Sequence, residues 1–378
     1  MPLRLSFIVP FHRGLVPLAR CLEALDARPP DSELIIAADG TGDDCGVLAA
    51  EHGAQVIAVS APSGPAVKRN AAVAAASGDV VVFVDADVTV SKAGLTRMAR
   101  TFRERPQTAA VFGAYDDRPA DPGFMSQYKN LSHSFIHHTS ATRATTFWAG
   151  FGAVRREAFQ RIGGFDERFV QGSVEDIDLG YRLTASGDEV LLDPTLLATH
   201  LKRWTIRSSI VCDVRDRGIP WTQLIWRYGA LGNDLNLRLE YRLSVVLAYL
   251  ALGSVLLAPY DVRSLIVGAL AVAGLTAANG RYLRFFYAKR GAWFVTRAWV
   301  VHLLHNLCNG LSFAVGTMLF FAASLGVRLP GSLPTAPWST ASQHPIAAPP
   351  AKRPQGVGLQ NLHTPRAPEI APRGQTPL

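Results

Sequence analysis

Through its first 115 residues the chain alternates short apolar runs, each closed by a turn, with stretches whose apolar residues recur at helical spacing. No other feature of the sequence narrows the fold so far. Leu5 to Val9 is an apolar run that stops at Pro10, the pattern of a buried strand. Leu15, Leu18, Leu22 and Leu25 follow at helical spacing. Glu33 to Ala38 reads as a second strand, closed by the turn Asp39-Gly40-Thr41-Gly42, and Gln55 to Val59 as a third. Pro65 to Ser77 is an Ala-rich helix ending at Gly78, and Val80 to Val84 is a fourth strand of four valines and a phenylalanine. Leu95, Met98, Ala99 and Phe102 mark another helix, and Thr108 to Tyr115 another strand. Strand and helix in turn predict an α/β fold with a doubly wound, mostly parallel sheet. In such sheets ligands bind beyond the carboxyl ends of the strands, where Asp39, Asp85 and Asp87 all fall.

The remainder departs from this pattern. Tyr128 to Thr142 is polar and His-rich, and His133, His137 and His138 read as loop or acceptor-side residues. Trp148 to Gly152 is a glycine-rich aromatic segment, Arg155 to Arg161 a short helix, and Val174 to Ala185 a longer one. Asp178 stands four residues before Arg182, the spacing of a surface ion pair. From 203 to 242, Trp204, Trp221, Trp226 and Tyr228 are scattered among arginines, a mix typical of helices at a membrane surface. Residues 243–326 are far more apolar, with candidate membrane spans at about 243–260, 262–280 and 299–325. The third carries His302, His305, Asn306 and Asn309 on one face, which predicts contact with protein or a cavity; alternatively that segment is partly interfacial. From residue 330 the chain is rich in Pro, Ala and Gln and reads as a disordered tail.

The formal net charge of +8 admits nucleic acid, anionic lipid or phosphorylated partners. No nucleic-acid recognition motif accompanies it. Arg281, Arg284, Lys289, Arg290 and Arg297 instead flank the apolar segments, as the positive-inside rule expects of a cytoplasmic face. Cys21, Cys45, Cys212 and Cys308 have neither metal-pair spacing nor the look of a disulfide framework, so a reducing compartment is expected. The start of the chain reads as a strand and not as a signal peptide.

Asp85-Ala86-Asp87 follows an apolar strand directly, so two carboxylates two residues apart could share one hard divalent cation. Alone the triplet reads rather as a solvated strand-end turn. Its neighbours add to it. Phe7-Ile8-Val9-Pro10, Ala38-Asp39-Gly40-Thr41-Gly42-Asp43, Gly64 through Lys68-Arg69-Asn70-Ala71, Gly78-Asp79, and Val84 through Asp87 occur in one order. Gly163-Gly164-Phe165-Asp166-Glu167 and Glu175-Asp176-Ile177-Asp178-Leu179 complete it. With these motifs, residues 4 to about 205 resemble the family 2 glycosyltransferases of GT-A fold, with Ala38 where the family often has a first Asp.

The resemblance implies a division of labour. Residues 1–115 would be the nucleotide-sugar half, 116–205 the acceptor half, 206–242 interfacial helices, 243–326 a transmembrane region and 327–378 the tail. Donor binding would involve Pro10, Phe11, Asp39, Gly64, Arg69, Asp85 and Asp87, with Asp39 reading the nucleotide base. Mg²⁺ or Mn²⁺ would be held by Asp85 and Asp87, with His200 as a third ligand. Trp148, Gly150, Glu175, Arg203 and Trp204 would face the acceptor. Asp176 would be the general base, although Ser173-Val174-Glu175-Asp176 also resembles a capping box. The expected protein is an inverting transferase at the inner or plasma membrane, multi-pass, with a cytoplasmic catalytic domain. Its partners would be a nucleotide-diphosphate sugar, membrane lipids and a lipid-linked or glycan acceptor, without nucleic acid. The alternatives are a polyprenyl-phosphate glycosyl synthase and a nucleotide-sugar-binding scaffold without turnover.

Overall fold

The computed structural model of the protein describes residues 3–333 apart from 61, 62, 171, 173, 233 and 234. The proposed tail from residue 334 onward and Ser173 lie outside the described residues. Eight strands form one mixed sheet: β1 (Leu5–Phe11), β2 (Glu33–Ala38), β3 (Gln55–Ala58), β4 (Val80–Val84), β5 (Val88–Val90), β6 (Thr108–Tyr115), β7 (Phe151–Arg155) and β8 (Glu189–His200). Their order is β3-β2-β1-β4-β7-β6-β8-β5. The pairs β1–β2, β2–β3, β1–β4 and β6–β8 are parallel. β7 runs antiparallel to both β4 and β6, and β5 antiparallel to β8.

The apolar composition of β4 explains its central place, since both of its faces are buried. Val80, Val82 and Val84 join a core with α1 (Leu15–Leu25), α2 (Gly46–Glu51) and α4 (Lys92–Glu104). Val81 and Phe83 point the other way, to α3 (Pro65–Ala75), α6 (Arg156–Arg161) and α7 (Glu175–Ala185). Each such side chain contributes about 1.5–3 kcal/mol when fully buried.

Two expectations change here. The polar segment near His133 is not a loop but α5 (Phe124–Thr139), with Tyr128, Lys129, Asn130, Ser134 and His137 buried. Its polar groups find tertiary partners: Lys129 pairs with Asp213, and Asn130 donates to the Asp116 carbonyl. Asp178 and Arg182 do pair, at 2.7 Å, but in the interior and not at the surface. Arg182 also donates to the carbonyls of Ile162 and Gly164, and Tyr228 donates to Asp178. Those contacts come from segments far apart in sequence, so helical spacing alone could not reveal the burial.

Beyond the sheet lie α8 (Ile206–Val211), a π-helical turn Cys212–Gly218, α9 (Ile219–Tyr228), α10 (Leu239–Leu257), α11 (Ser264–Ala278) and α12 (Gly280–Ser324). Of these, α10 and α12 are long and apolar enough to cross a membrane, whereas α11 has 15 residues. That length is about 22 Å, short of a hydrocarbon core of about 30 Å. α12 is broken at Gly291, whose φ of 78° belongs to the left-handed region that glycine tolerates. Before the break, Lys289 pairs with Asp117 and Arg290 donates to Gln127 and to the Asp117 carbonyl. After it, α12 runs beside α9, where Trp226 donates to Thr317. Gln223 then holds both the Gly331 carbonyl and the Leu333 N–H.

Candidate active site

The strand ends gather the polar residues singled out from the sequence. Asp39 closes β2 and is buried, and Gly40 turns the chain there at φ 68°. The Asp39 carboxylate accepts from Lys68 Nζ at 2.8 Å, from Thr41 Oγ1 at 2.9 Å and lies 3.1 Å from His12 Nδ1. Burial opposes its ionisation, but the bonds from Lys68, His12 and Thr41 outweigh that and hold it well below the usual carboxylate range. Of the other residues expected at the base, Pro10 is half-buried and Phe11 sits wholly in the core. Gly64 precedes α3 where an added Cβ would lie 2.5 Å from the Val170 carbonyl oxygen, so no larger residue fits without movement.

Arg69 is the hinge of the site. It is buried on α3 and donates through Nη1 to Glu175 at 2.6 Å and through Nη2 to Asp85 at 2.7 Å. Its guanidinium lies over the Phe165 ring. One side chain thus joins the end of β4 to the start of α7. Asp85 is further fixed by its N–H, which donates to the Gly150 carbonyl at 3.2 Å. Gly150 leaves no room for a Cβ, which would fall 2.5 Å from the Trp148 indole. Burial pushes the Asp85 carboxyl up, with Arg69 opposing and Asp87 reinforcing the shift.

The short strand β5, which the sequence did not reveal, brings His200 to this cluster. Val88 pairs with His200 in the β5–β8 register, and the Leu201 N–H donates to the Asp87 carbonyl. Asp87 Oδ2 stands 3.5 Å from His200 Nε2. Burial resists ionisation of Asp87, but His200 and then Lys202 draw its carboxyl below the ordinary value. Among the described residues no three His, Cys, Asp or Glu side chains close into one cluster.

Asp176 opens α7 beside Glu175. Its Oδ2 accepts the Ala149 N–H at 3.1 Å, which ties α7 to the turn before β7. Burial and the charge of Glu175 push its carboxyl up to about 7, against the Ala149 bond and the charges of Arg69 and Arg217. At the helix start, Val174 provides no side-chain cap.

The aromatic candidates divide. Trp148 is half-buried and packs edge-on against Tyr115, with ring centroids 4.7 Å apart. Trp204 lies over against α5, with the ammonium groups of Lys129 and Lys202 over its ring and its backbone N–H donating to Ser126 Oγ. Arg203 is exposed. Four further residues enter the site that sequence reasoning passed over: His12, Lys68, Tyr115 and Arg217. Tyr115 stacks on His200 at 4.8 Å, and burial with the charges of Asp87 and Asp85 pushes its phenol well up. Its place at the end of β6 was a signal of the same kind as that of Asp39. Lys68 adjoins Arg69 in the same motif. Arg217 carried no local signal, because only the π-helical turn brings it near Asp176.

Comparison with known proteins agrees with this geometry. Residues 6–163 match the model of glycosyl transferase family 2. A pre-mycofactocin glycosyltransferase of Mycobacterium tuberculosis, in strains CDC 1551 and H37Rv, is 30% identical over 153 residues, 39% of this chain and 32% of that protein. The chain therefore spans about a third of the length of these curated relatives. A mannosyltransferase from Pyrobaculum calidifontis, solved with GDP-Man and Mn²⁺, superposes with a TM-score of 0.52 at 18% identity, over 83% of this chain and 88% of that one. That likeness extends the shared fold beyond the matched segment. Residues 6–163, which hold Asp39, Asp85 and Asp87 at the carboxyl ends of strands and Arg69 on α3, are thus the part of the chain that matches glycosyl transferase family 2, within a GT-A-like fold.

Proposed function

We propose that the protein is an inverting glycosyltransferase that moves a sugar from a nucleotide diphosphate to an acceptor at the membrane. The observation that carries this reading is the Asp85–Arg69–Glu175 chain, which sets a strand-end carboxylate pair beside Asp176. Residues 1–115 are assigned the donor and 116–205 the acceptor. Asp39, held ionised by Lys68, faces the base, with Pro10 beside it and Gly64 allowing close approach. Trp148, Gly150, Glu175, Arg203 and Trp204 are assigned to the acceptor side.

Asp87, His200 and Asp85 offer oxygen and imidazole donors of the kind that fit Mg²⁺ or Mn²⁺. When bound, that ion supplies positive charge to the leaving diphosphate. The acceptor oxygen forms a bond to the anomeric carbon as the bond from that carbon to the diphosphate breaks. The electron pair leaves with the nucleoside diphosphate. Asp176 accepts the acceptor hydroxyl's proton, and a carboxyl raised to about 7 is suited to that task near neutral pH. Displacement from the opposite face inverts the anomeric centre.

The membrane assignment rests on α10 and α12. Leu243, Val246, Leu250, Val255 and Leu256 on α10 are exposed, too much apolar surface for one helix to show to water. Arg290 and Lys289 are bonded to the catalytic unit itself, so the basic cluster and that unit share one side, read as cytoplasmic. Purified protein in lipid nanodiscs, screened against a panel of nucleotide sugars for released nucleoside diphosphate, tests the reading. Release from none of the panel, with or without lipid extract, would overturn it.

A further inference from the structure

Tyr115 ends β6 in the middle of the site, and the proposed mechanism gives it no task. Its ring is wedged on several sides. The His200 imidazole stacks on it, with centroids 4.8 Å apart and planes inclined at 16°. Trp148 meets it edge-on at 4.7 Å and His133 at 5.9 Å. The β6–β8 register sets this arrangement, because Tyr115 pairs with Ala198, two residues before His200. The Asp116 N–H then donates to the Ala198 carbonyl at 2.9 Å and fixes the strand end. Tyr115 is 7% exposed, so close packing holds the phenol in one orientation.

The hydroxyl is in a different position from the ring. It has no hydrogen-bond partner among the described residues. Tyr181, Tyr228 and Tyr282 are buried as well, and each of their hydroxyls is bonded: to Trp221, to Asp178 and to Ser132. Nor is the Tyr115 oxygen among the sealed, unbonded polar atoms, so the little exposure that the residue keeps reaches it. Burial, then the charges of Asp87 and Asp85, oppose loss of its proton; Arg217 counters them, and Asp176 acts less strongly. The phenol is thus a neutral donor that leans toward the strand-end pair. An O–H group held among carboxylates but bonded to none of them suits a ligand that brings acceptor oxygens to that point. At the strand ends, that ligand is the diphosphate of the sugar donor.

Resting on the transferase reading above, we infer that Tyr115 is a catalytic residue whose hydroxyl donates a hydrogen bond to the diphosphate oxygen that leaves the anomeric carbon. In the bound donor that oxygen bridges sugar and phosphorus and carries little charge. As its bond to the anomeric carbon breaks, the electron pair stays on the oxygen. The phenol keeps its own proton throughout, and the hydrogen bond strengthens as that charge develops. The acceptor's proton goes to Asp176, so the two residues serve opposite ends of one displacement. The stack on His200 holds the hydroxyl in place beforehand, and no reorganisation is needed at the moment of transfer.

The test compares wild type and Tyr115→Phe as full chains in lipid nanodiscs. The substitution keeps a ring to stack on His200 and removes only the oxygen. Mn²⁺ binding is read by electron paramagnetic resonance. Binding of UDP, UDP-glucose, GDP and GDP-mannose is read by calorimetry with Mn²⁺ present. A free nucleoside diphosphate exposes the oxygen that the reaction liberates, and the nucleotide sugar masks it. Tyr115→Phe should therefore weaken UDP or GDP about tenfold, while the affinities for Mn²⁺ and for the nucleotide sugar stay within about twofold of wild type. Turnover of the nucleotide sugar that the wild type uses should fall about a hundred-fold at saturating donor. Equal weakening of the diphosphate and its sugar would overturn the inference, as would unchanged turnover or a loss of Mn²⁺ binding in Tyr115→Phe. A wild type that binds none of these nucleotides rejects the transferase reading itself. A wild type that binds them, with Tyr115→Phe indistinguishable from it, rejects the phenol and leaves the transferase intact.

Discussion

Asp176 meets two opposing demands, and a single substitution separates them. As a buried carboxyl raised to about 7, it favours the folded state only while protonated. That contribution is present below the unfolded value of about 4 and is lost as pH rises through about 7. Asp176→Asn keeps the shape and carries no charge to bury. The variant should therefore melt at a higher temperature than the wild type at pH 8, while turnover falls about a hundred-fold and donor binding persists. Calorimetry, nucleotide binding and product formation on the same preparation check all three. Wild-type turnover with a hydroxyl acceptor would reject Asp176 as the base. Asp87→Ala tests the other carboxylate. It removes the partner of His200 and, on the proposed reading, a ligand of the ion. Turnover should vanish in that variant, and in the wild type with excess chelator, returning when Mg²⁺ or Mn²⁺ is added. Full activity in chelator would remove the metal from the mechanism.

At the scale of elements, α12 decides the topology. With the catalytic unit on the cytoplasmic side, three crossings by the apolar segments would put the tail beyond the membrane. In the structure Gln223 of α9 bonds to Gly331 and Leu333, so the chain leaves α12 against the same unit that holds α7 and α9. Trp221 donating to Tyr181 links α9 to α7 directly. α10 and α11, by contrast, pack on each other as a hairpin whose turn holds Tyr260, fully turned outward. Cysteine introduced as Ser332→Cys should react with an impermeant reagent from the side of the catalytic unit. Tyr260→Cys should react from the other side or be protected within the bilayer. Labelling of both from the same face would mean that the hairpin does not enter the membrane. The sequence anticipated this mixed behaviour in the polar face His302, His305, Asn306 and Asn309, all four of which line the cavity between the catalytic unit and the C-terminal helices.

For the whole molecule, buried charge pairs across distant segments set the acid limit of stability. Asp39–Lys68 joins β2 to α3, and Asp213–Lys129 joins the π-helical turn to α5. Both carboxyls are held below their ordinary value, Asp39 despite burial and chiefly by Lys68, Asp213 despite burial and chiefly by the Lys129 charge. Their contribution is present above the unfolded value of about 4 and is lost as pH falls toward the folded values. Asp176 acts in the opposite sense, its contribution being lost between about pH 4 and about pH 7, so stability should peak at about pH 4 and decline towards about pH 7. Denaturant midpoints read by tryptophan fluorescence in detergent micelles should trace that maximum. A midpoint flat from pH 2 to pH 5 would remove these two pairs from the account.

What the sequence determined by itself was periodic or local. Apolar runs of period two or unbroken length placed β1, β2, β4 and β6, because a buried strand must be apolar wherever it meets the core. The strand-end rule placed Asp39, Asp85 and Asp87, and contiguous motifs placed Arg69 and Asp176. What the tertiary structure decided was every relation between segments that share no register in the chain. β5 is three residues long and exists only because β8 pairs with it, and that pairing alone brings His200 to Asp87. The polar faces of α5 and of the Asp178–Arg182 pair became interior because Asp213, Tyr228 and two carbonyls take up part of their hydrogen-bonding capacity. Buried polar groups depend on such partners, and these lie 18 to 84 residues away, where no local pattern records them.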